Sequence, residues 1–500
     1  MTLILLILLP LVFGLLCFLV KPAAKHIALG ASSGLAGLGI HAVFAAHPDP
    51  ISFTTAWMPQ IGASFSLLGD NLSTMLTALT GIVMLVIMLM QLNKDVESPG
   101  AFYGLMLLSI AGINGVFLAA DGLLFYFFWE LALIPVYFLC SRWGGERRIQ
   151  ITFKFFIYTF LGSLMMLAGL IYLYLQTNNT VYPLGQIISA TPELAMSGAH
   201  SYSLPNMLLA AQTLPASTQG WLFLLIFSAF AIKMPIFPFH TWQPDTYETS
   251  PTPVTIILSA LMVKMGIYGV IRWVLPAFPA AVSEYGNIVI TLSVIGIVYA
   301  SCIAMMQTDL KRLVAYSSIA HMGLMSAAAF SMLSPDTMHA GLNTSAHGLL
   351  VQMFNHGINI TGMWLLVQMI EQRYGTRDMN KLGGMASGAP WMSVALVIIA
   401  FANIALPLTN GFIGEFMLFN GLFQSASQYH IVFMAVAGIG VILGAVYTLT
   451  MVQRVAYGNA VVGTTPTDLT VNEWWAVGLV VAIILALGIY PQPFLNILSI

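Results

Sequence analysis

Charge is what this sequence has least of. Charged residues make up 7% of the 500, where a soluble domain carries roughly 25%. Hydrophobic residues make up 59%, and with a mean hydropathy of +0.89 the chain reads as one dissolved in lipid rather than water. Its 16 Lys+Arg against 18 Asp+Glu leave a net charge of -2, so there is no basic surface to offer nucleic acid. Cysteine is scarce too: Cys17, Cys140 and Cys302 stand in separate apolar runs without a CxxC pair, which argues against an iron-sulfur cluster, a structural zinc and a disulfide framework. Also missing are G-x-x-x-x-G-K-[ST], a strand-linked G-x-G-x-x-G and H-E-x-x-H, and the formal G-x-S-x-G match "GASSG" at 30–34 lies in an apolar run rather than at a strand-to-helix elbow. Nucleotide binding, zinc chemistry and serine-nucleophile hydrolysis therefore lose their usual signatures. Gly30 and Gly34 in "GASSG" sit in an apolar run, where a small-xxx-small packing face is the better reading.

What the chain has in abundance is apolar runs of about 20 residues, the length that crosses ~30 Å of hydrocarbon as a helix. About fourteen recur, near 2–20, 27–46, 73–92, 101–119, 122–141, 152–176, 220–239, 252–275, 286–306, 312–333, 346–371, 391–421, 430–456 and 474–497. Backbone groups in lipid must be satisfied internally, so unbroken hydrophobicity without short alternating strands predicts an all-α polytopic membrane protein rather than a barrel. The first run has no basic residue before it and Lys21 and Lys25 after it, the reverse of a secretory signal, and is expected to be retained with its start outside. Twelve of the 16 basic residues (Lys21, Lys25, Lys94, Arg142, Arg147, Arg148, Lys311, Arg312, Arg373, Arg377, Lys381, Arg454) follow odd-numbered runs, and the long connections 47–72 and 177–218 contain none. Basic residues gather on the cytoplasmic side, so both termini are expected outside. Only Arg272, near the outer end of the eighth run, goes against the rule.

An ionisable group in mid-membrane costs roughly 2.5–3.5 kcal/mol on insertion scales, so each one is a functional candidate by default. Glu130 in "FYFFWELALIPVYF", Lys233, Lys264 and Glu415 are the clearest, and Lys154 is a fifth, for which a paired ion or a side chain snorkelling to the interface is the plainer alternative. "AIKMPIFPFHTWQPD" puts Pro235 and Pro238 within five residues of Lys233, and "ANIALPLTNGFIGEF" puts Pro407, Asn410, Gly411 and Gly414 just before Glu415. Both segments are expected to be broken, with freed backbone groups lining a cavity. Two breaks five runs apart also fit a transporter built from inverted repeats. Gln352, Asn355, His356 and Asn359 follow i, i+3, i+4, i+7 and share one face of a helix; Ser317, Ser318 and His321 form a similar group. A lone buried histidine is more often a hydrogen-bonded core residue. A polar stripe inside a lipid-spanning helix makes a proton carrier an equal reading. Acid, base, histidine and acid, spread over six runs, fit a proton route better than a metal site.

The stretches "FFWELALIPVYFL", "FKFFIYT" at 153–159, "IKMPIFPFHTWQPD" at 232–245, "QTDLKRLVAYSSIAHMG" at 307–323 and "NGFIGEF" at 410–416 resemble, in order and spacing, the antiporter-like proton-translocating subunits of respiratory complex I. Glu415, where sister subunits usually carry lysine, and a sequence that stops at "GIYPQPFLNILSI" without a long lateral helix point to one branch of that family. The resemblance implies about fourteen helices with two inverted five-helix repeats: residues 1–95 as helices 1–3, 96–280 as the first repeat, 281–460 as the second and 461–500 as the last helix. It implies that Glu130 pairs with Lys233, that Lys264 passes a proton onward, and that Glu415 faces the outer exit. His321 and His356 would lie between them, with His240 and Lys154 secondary. It also implies no cofactor or metal in this chain, with FMN, iron-sulfur clusters and quinone in partner subunits. Other membrane-arm subunits, L-like and N-like ones flanking, are the expected partners in a bacterial inner membrane. A subunit of a sodium/proton antiporter, of a membrane-bound hydrogenase or of photosynthetic complex I shares these motifs and stays open at this point.

Overall fold

The computed structural model describes residues 1–177, 200–332, 344–459 and 466–498. The two leading helices, α1 (Thr2–Leu19) and α2 (Ala24–Ala45), lead into a feature the sequence reading did not expect. In the long connection after α2, β1 (Ile51–Met58) pairs antiparallel with β2 (Ala63–Gly69), Ile51 opposite Gly69 and Thr55 opposite Phe65. The period-2 alternation of "ISFTTAW" is too short to compete with the apolar runs around it.

Several of the scarce acids cap helix starts. Asp70 begins α3 (Asn71–Gln91), its side chain accepting from Ser73 N, and α4 (Pro99–Leu118) follows with proline in its first turn. Asp121 begins α5 (Gly122–Trp143), accepting from Leu123 N and Leu124 N. Each such cap satisfies orphan amides and contributes about 1 kcal/mol. After α6 (Arg148–Gln176) and the short α7 (Leu204–Thr213), α8 (Ala216–Lys233) stops at Lys233 and the chain resumes as α9 (Gln243–Thr249). The almost wholly buried α10 region (Thr252–Ala277) is wound wider, as π-helix, at Ile257–Met262 and Val270–Val274.

The second half repeats the style. α11 (Pro279–Met306) leads to α12 (Leu310–Ser331), capped by Asp309, and to the long α13 (Thr344–Tyr374). The run expected at 391–421 is two helices, α14 (Pro390–Asn403) and α15 (Asn410–Phe423), and α16 (His430–Tyr457), α17 (Val471–Ile489) and α18 (Gln492–Leu498) complete the chain. Asp468 accepts from Trp391 N and Met392 N, and so caps α14 across 77 residues of sequence. Among the described residues, twelve helices are long and apolar enough to cross a membrane. Nearly all of α10 and most of α12 are enclosed, whereas α1, α6, α16 and α17 turn most of their apolar surface outward. The outward faces suit lipid or neighbouring membrane proteins; the enclosed helices carry the polar residues.

The basic loops lie at one end of the bundle and the hairpin at the other. Arg272, the exception to the charge rule, sits at the hairpin end with its guanidinium 2.6 Å from Asp70 Oδ2 and 3.1 Å from Ser73 Oγ, so its charge is neutralised locally. Burial pushes the Asp70 carboxyl up, but Arg272 and the Ser73 amide outweigh it and hold it below the usual carboxylate range. Asp121 ties the hairpin to α5: its other oxygen accepts from Ser64 N at 2.9 Å and from Ser64 Oγ at 3.2 Å. Burial dominates there and raises its carboxyl to about 6.

Candidate functional site: a buried line of lysine, histidine and glutamate

The first interruption follows from Pro235 and Pro238, which cannot donate to a helix ladder. Met234 N closes the last turn on Phe230 O, and Trp242 Nε1 reaches back to Ile232 O at 3.0 Å. Lys233 is therefore the last residue of α8, where the carbonyl end of the helix dipole favours a cation. It is 2% exposed, its Nζ has no hydrogen-bond partner among the described residues, and it lies 5.4 Å from the centre of the Trp129 ring. Glu130, half-buried on α5, is within electrostatic reach of Lys233 but makes no ion pair with it at 4.0 Å or less. His240 is buried between Phe237 and Tyr299, with ring centroids 5.8 and 5.3 Å away. Lys154 stands apart from these groups. Its Nζ pairs with Asp245 Oδ2 at 3.0 Å and donates to Thr241 O at 2.8 Å at the basic end, which is the paired-ion alternative.

The second group is continuous. Lys264 is wholly enclosed, and its Nζ lies 3.0 Å from Ser259 O and 2.7 Å from His356 Nδ1. Ser259 belongs to the π-wound stretch just before it, whose widened turn offers this carbonyl to a side chain. Gly266 lets α10 come this close to the break: a Cβ there would stand 2.8 Å from Met234 N and Phe230 O. His356 Nε2 faces Ser318 Oγ at 3.4 Å, and its ring centre is 5.4 Å from that of His321. His321 has an oxygen at each ring nitrogen: Ser317 O 2.8 Å from Nδ1, and Asn403 O at 2.9 Å and Glu415 Oε1 at 3.3 Å from Nε2. Glu415, 6% exposed, also accepts from Gln352 Nε2 at 3.4 Å.

The break between α14 and α15 holds Ala405 and Leu408 at φ of +55° and +75°, strained for residues with a Cβ. The stripe on α13 supplies what the interrupted helix lacks. Asn359 Nδ2 donates to Ala402 O at 3.0 Å and Asn355 Nδ2 to Asn410 O at 2.7 Å. These two asparagines are therefore structural supports, while Gln352 and His356, on the same face, touch the ionisable groups. Gly414 makes room, since a Cβ there would overlap the Gln352 amide oxygen.

Two members were not singled out from sequence. Asn403 donates to Ser317 Oγ at 3.1 Å besides offering its carbonyl to His321, and Tyr447 on α16 donates to the same Ser317 Oγ at 3.0 Å. A hydroxyl or amide amid apolar residues was the only available signal for them. With His321 and Glu415 they line a cavity of about 30 Å³ open to water centres, flanked by Gly440 and Gly444. Since one water takes roughly 10–15 Å³ by that measure, about two fit. The tertiary structure thus strings Lys264, His356, His321 and Glu415 along hydrogen-bond and ring contacts over four elements. Such a chain can hand a proton from group to group.

A many-helix membrane bundle with two interrupted helices and a buried line of titratable groups defines an antiporter-like membrane protein. The chain belongs to the family described as NADH:quinone oxidoreductase/Mrp antiporter, TM, whose model matches residues 119–444. It is 34% identical over 455 residues to NADH-quinone oxidoreductase subunit M of Pseudomonas aeruginosa, covering 89% of this chain and 83% of that one. It is 33% identical over 453 residues to the Escherichia coli K12 protein of the same name, with the same coverage. A chain of respiratory complex I from Thermus thermophilus, solved with bound NADH, superposes with a TM-score of 0.86 at 27% identity, covering all of this chain and 97% of that one. The family resemblance read from the sequence motifs is borne out.

Proposed function

We propose that this chain is the M-type proton-translocating subunit of the membrane arm of an NADH-quinone oxidoreductase. The observation that carries the reading is the enclosed series Lys264, His356, His321, Glu415, joined by contacts of 2.7 and 3.3 Å at its two ends. Membership of the family and likeness to relatives that carry the oxidoreductase name give the process it serves. Quinone reduction in other subunits supplies the energy, and FMN and iron-sulfur clusters belong to those partners. The disturbance reaches Glu130 and alters its pull on Lys233, since moving a carboxylate's charge toward or away from a buried lysine switches it between holding and releasing a proton. The proton then passes by Lys264 and the two histidines to Glu415 and leaves at the hairpin end.

In this reading the basic end faces the cytoplasm of a bacterial cell and both termini lie outside the inner membrane. The breaks after Lys233 and before Glu415 mark two inverted repeats, residues 96–280 and 281–460, and L-like and N-like subunits flank the chain. The test is to extract the tagged chain gently from its native membrane and assay it for copurifying flavin and iron-sulfur proteins with NADH-quinone activity. Recovery of both supports the reading. Small membrane partners with sodium-for-proton exchange would replace it with a cation antiporter.

A further inference from the structure

A network of charge surrounds α9 at the basic end, apart from the buried line. α9 is the seven-residue rod that follows the interruption after Lys233. Its Asp245 takes Lys154 of α6 on one oxygen at 3.0 Å and Arg312 of α12 on the other at 3.3 Å. Its Glu248 takes the same Arg312 at 2.8 Å and Arg377, beyond the end of α13, at 3.8 Å. Arg377 closes the network on Asp309 at 3.0 Å, and backbone bonds from Leu310 N to Arg377 O and from Met379 N to Thr308 O zip the same two strands of chain together. Lys311, buried, donates to Ser250 O at the end of α9. Cations and carboxylates alternate from Lys154 through Asp245, Arg312, Glu248 and Arg377 to Asp309.

We propose that Asp245 and Glu248 are positioning residues for proton transfer, acting through Arg312 to lock the chain beyond Lys233 onto the helices that carry His321 and His356. This rests on the reading of Lys233 and the two histidines as proton-carrying groups. Residues 234–242 form the non-helical hinge between Lys233 and α9, held at Trp242 Nε1 by Ile232 O and at Thr241 O by Lys154. Arg312 lies on α12 nine residues before His321, and Arg377 lies three residues after the last residue of α13, which carries His356. A shift of the hinge when Lys233 changes charge is thus delivered as a pull on α12 and α13. Glue is a poor account of the network. Its paired side chains are 23–39% exposed, and ion pairs at such exposure contribute little to stability. What a branched network does supply is fixed geometry between α6, α12 and the chain beyond α13, all three held on side chains of α9.

The experiment uses the intact complex in inside-out membrane vesicles and reads protons moved per electron. Arg312→Gln and Asp245→Asn are each expected to lower that ratio at least threefold while NADH-quinone electron transfer falls less than twofold. Arg312→Lys, which keeps the charge, should retain more than half the parental ratio. The double variant should be no worse than the more severe single one, because both cut the same link. A parental ratio in Arg312→Gln, or equal losses in Arg312→Gln and Arg312→Lys, would overturn the proposal. If Arg312→Gln does not assemble on a native gel, Glu248→Gln, which leaves Arg312 its Asp245 partner, takes its place, and an unchanged ratio there overturns it equally. Lys233→Ala runs beside them. Pumping that survives Lys233→Ala refutes the underlying reading, whereas pumping lost there and kept in the network variants refutes only the positioning role.

Discussion

Replacing Lys264 by methionine separates transport from folding. Methionine keeps the length and apolar stem of lysine and removes only the ammonium. The fold loses the 3.0 Å bond to Ser259 O, and His356 loses its 2.7 Å partner but keeps Ser318 Oγ at 3.4 Å. A hydrogen bond is worth about 1 kcal/mol net, and removing an enclosed charge offsets part of that loss. The bundle should therefore assemble normally. Transport has no such compensation, because among the described residues Lys264 is the hydrogen-bond partner of His356 Nδ1 and no other titratable group reaches it. Losing a positioned proton-transfer group costs about 10²–10⁴-fold in rate, so proton movement per NADH oxidised should fall by this chain's share of the pumping. The assay is dye-monitored acidification of native vesicles, normalised to NADH oxidation and to assembled complex on a native gel. Parental pumping per electron in Lys264→Met would refute the assignment of Lys264 to the route.

Other outcomes follow from the same geometry. Glu130→Gln keeps shape and removes the charge within reach of Lys233, so pumping should drop with assembly intact; unchanged pumping would remove Glu130 from the gate. Asp70→Asn should retain the cap on α3 but strand the Arg272 guanidinium, lowering the thermal stability of the detergent-solubilised protein by about 2–3 kcal/mol, somewhat under the 3–5 of a fully buried pair. Asp70→Ala should lose about 1 kcal/mol more with the cap, and equal melting of parent and Asp70→Asn would contradict the local neutralisation. Asp121 titrates near 6 in the folded chain against an ordinary 3.8. The folded state therefore holds a proton that the unfolded chain releases first, so its stabilising contribution is full below pH 3.8 and is lost as pH rises through about 6. The span is on the order of 3 kcal/mol. The difference in melting between parent and Asp121→Asn should change across that window, and parallel curves would refute it.

The breaks were legible in the sequence because proline and glycine act locally: Pro235 and Pro238 end α8 wherever the chain is placed. Glu130, Lys233, Lys264 and Glu415 stood out for a similar reason, since a charge in an apolar run is costly whatever surrounds it. The β1–β2 hairpin did not stand out, because its alternation is short and Asp121, which anchors it at Ser64, lies 57 residues further on.

The residues alone are enough, then, to set the solvent, the apolar segments and which side chains are out of place in lipid, because each depends on composition within about 20 residues. What only the tertiary structure decided is who meets whom. Lys264 meets His356 across 92 positions and His321 meets Glu415 across a helix break, while Glu130 and Lys233 come within electrostatic reach without touching. Tyr447 joins the site through one hydroxyl that nothing in its own helix marks. Lys154, a candidate by its depth in the sequence, is taken by Asp245 at the basic end. Partnership of this kind is set by which helix faces pack together, and a membrane helix carries little sign of that choice, because lipid and a neighbouring helix are almost equally apolar.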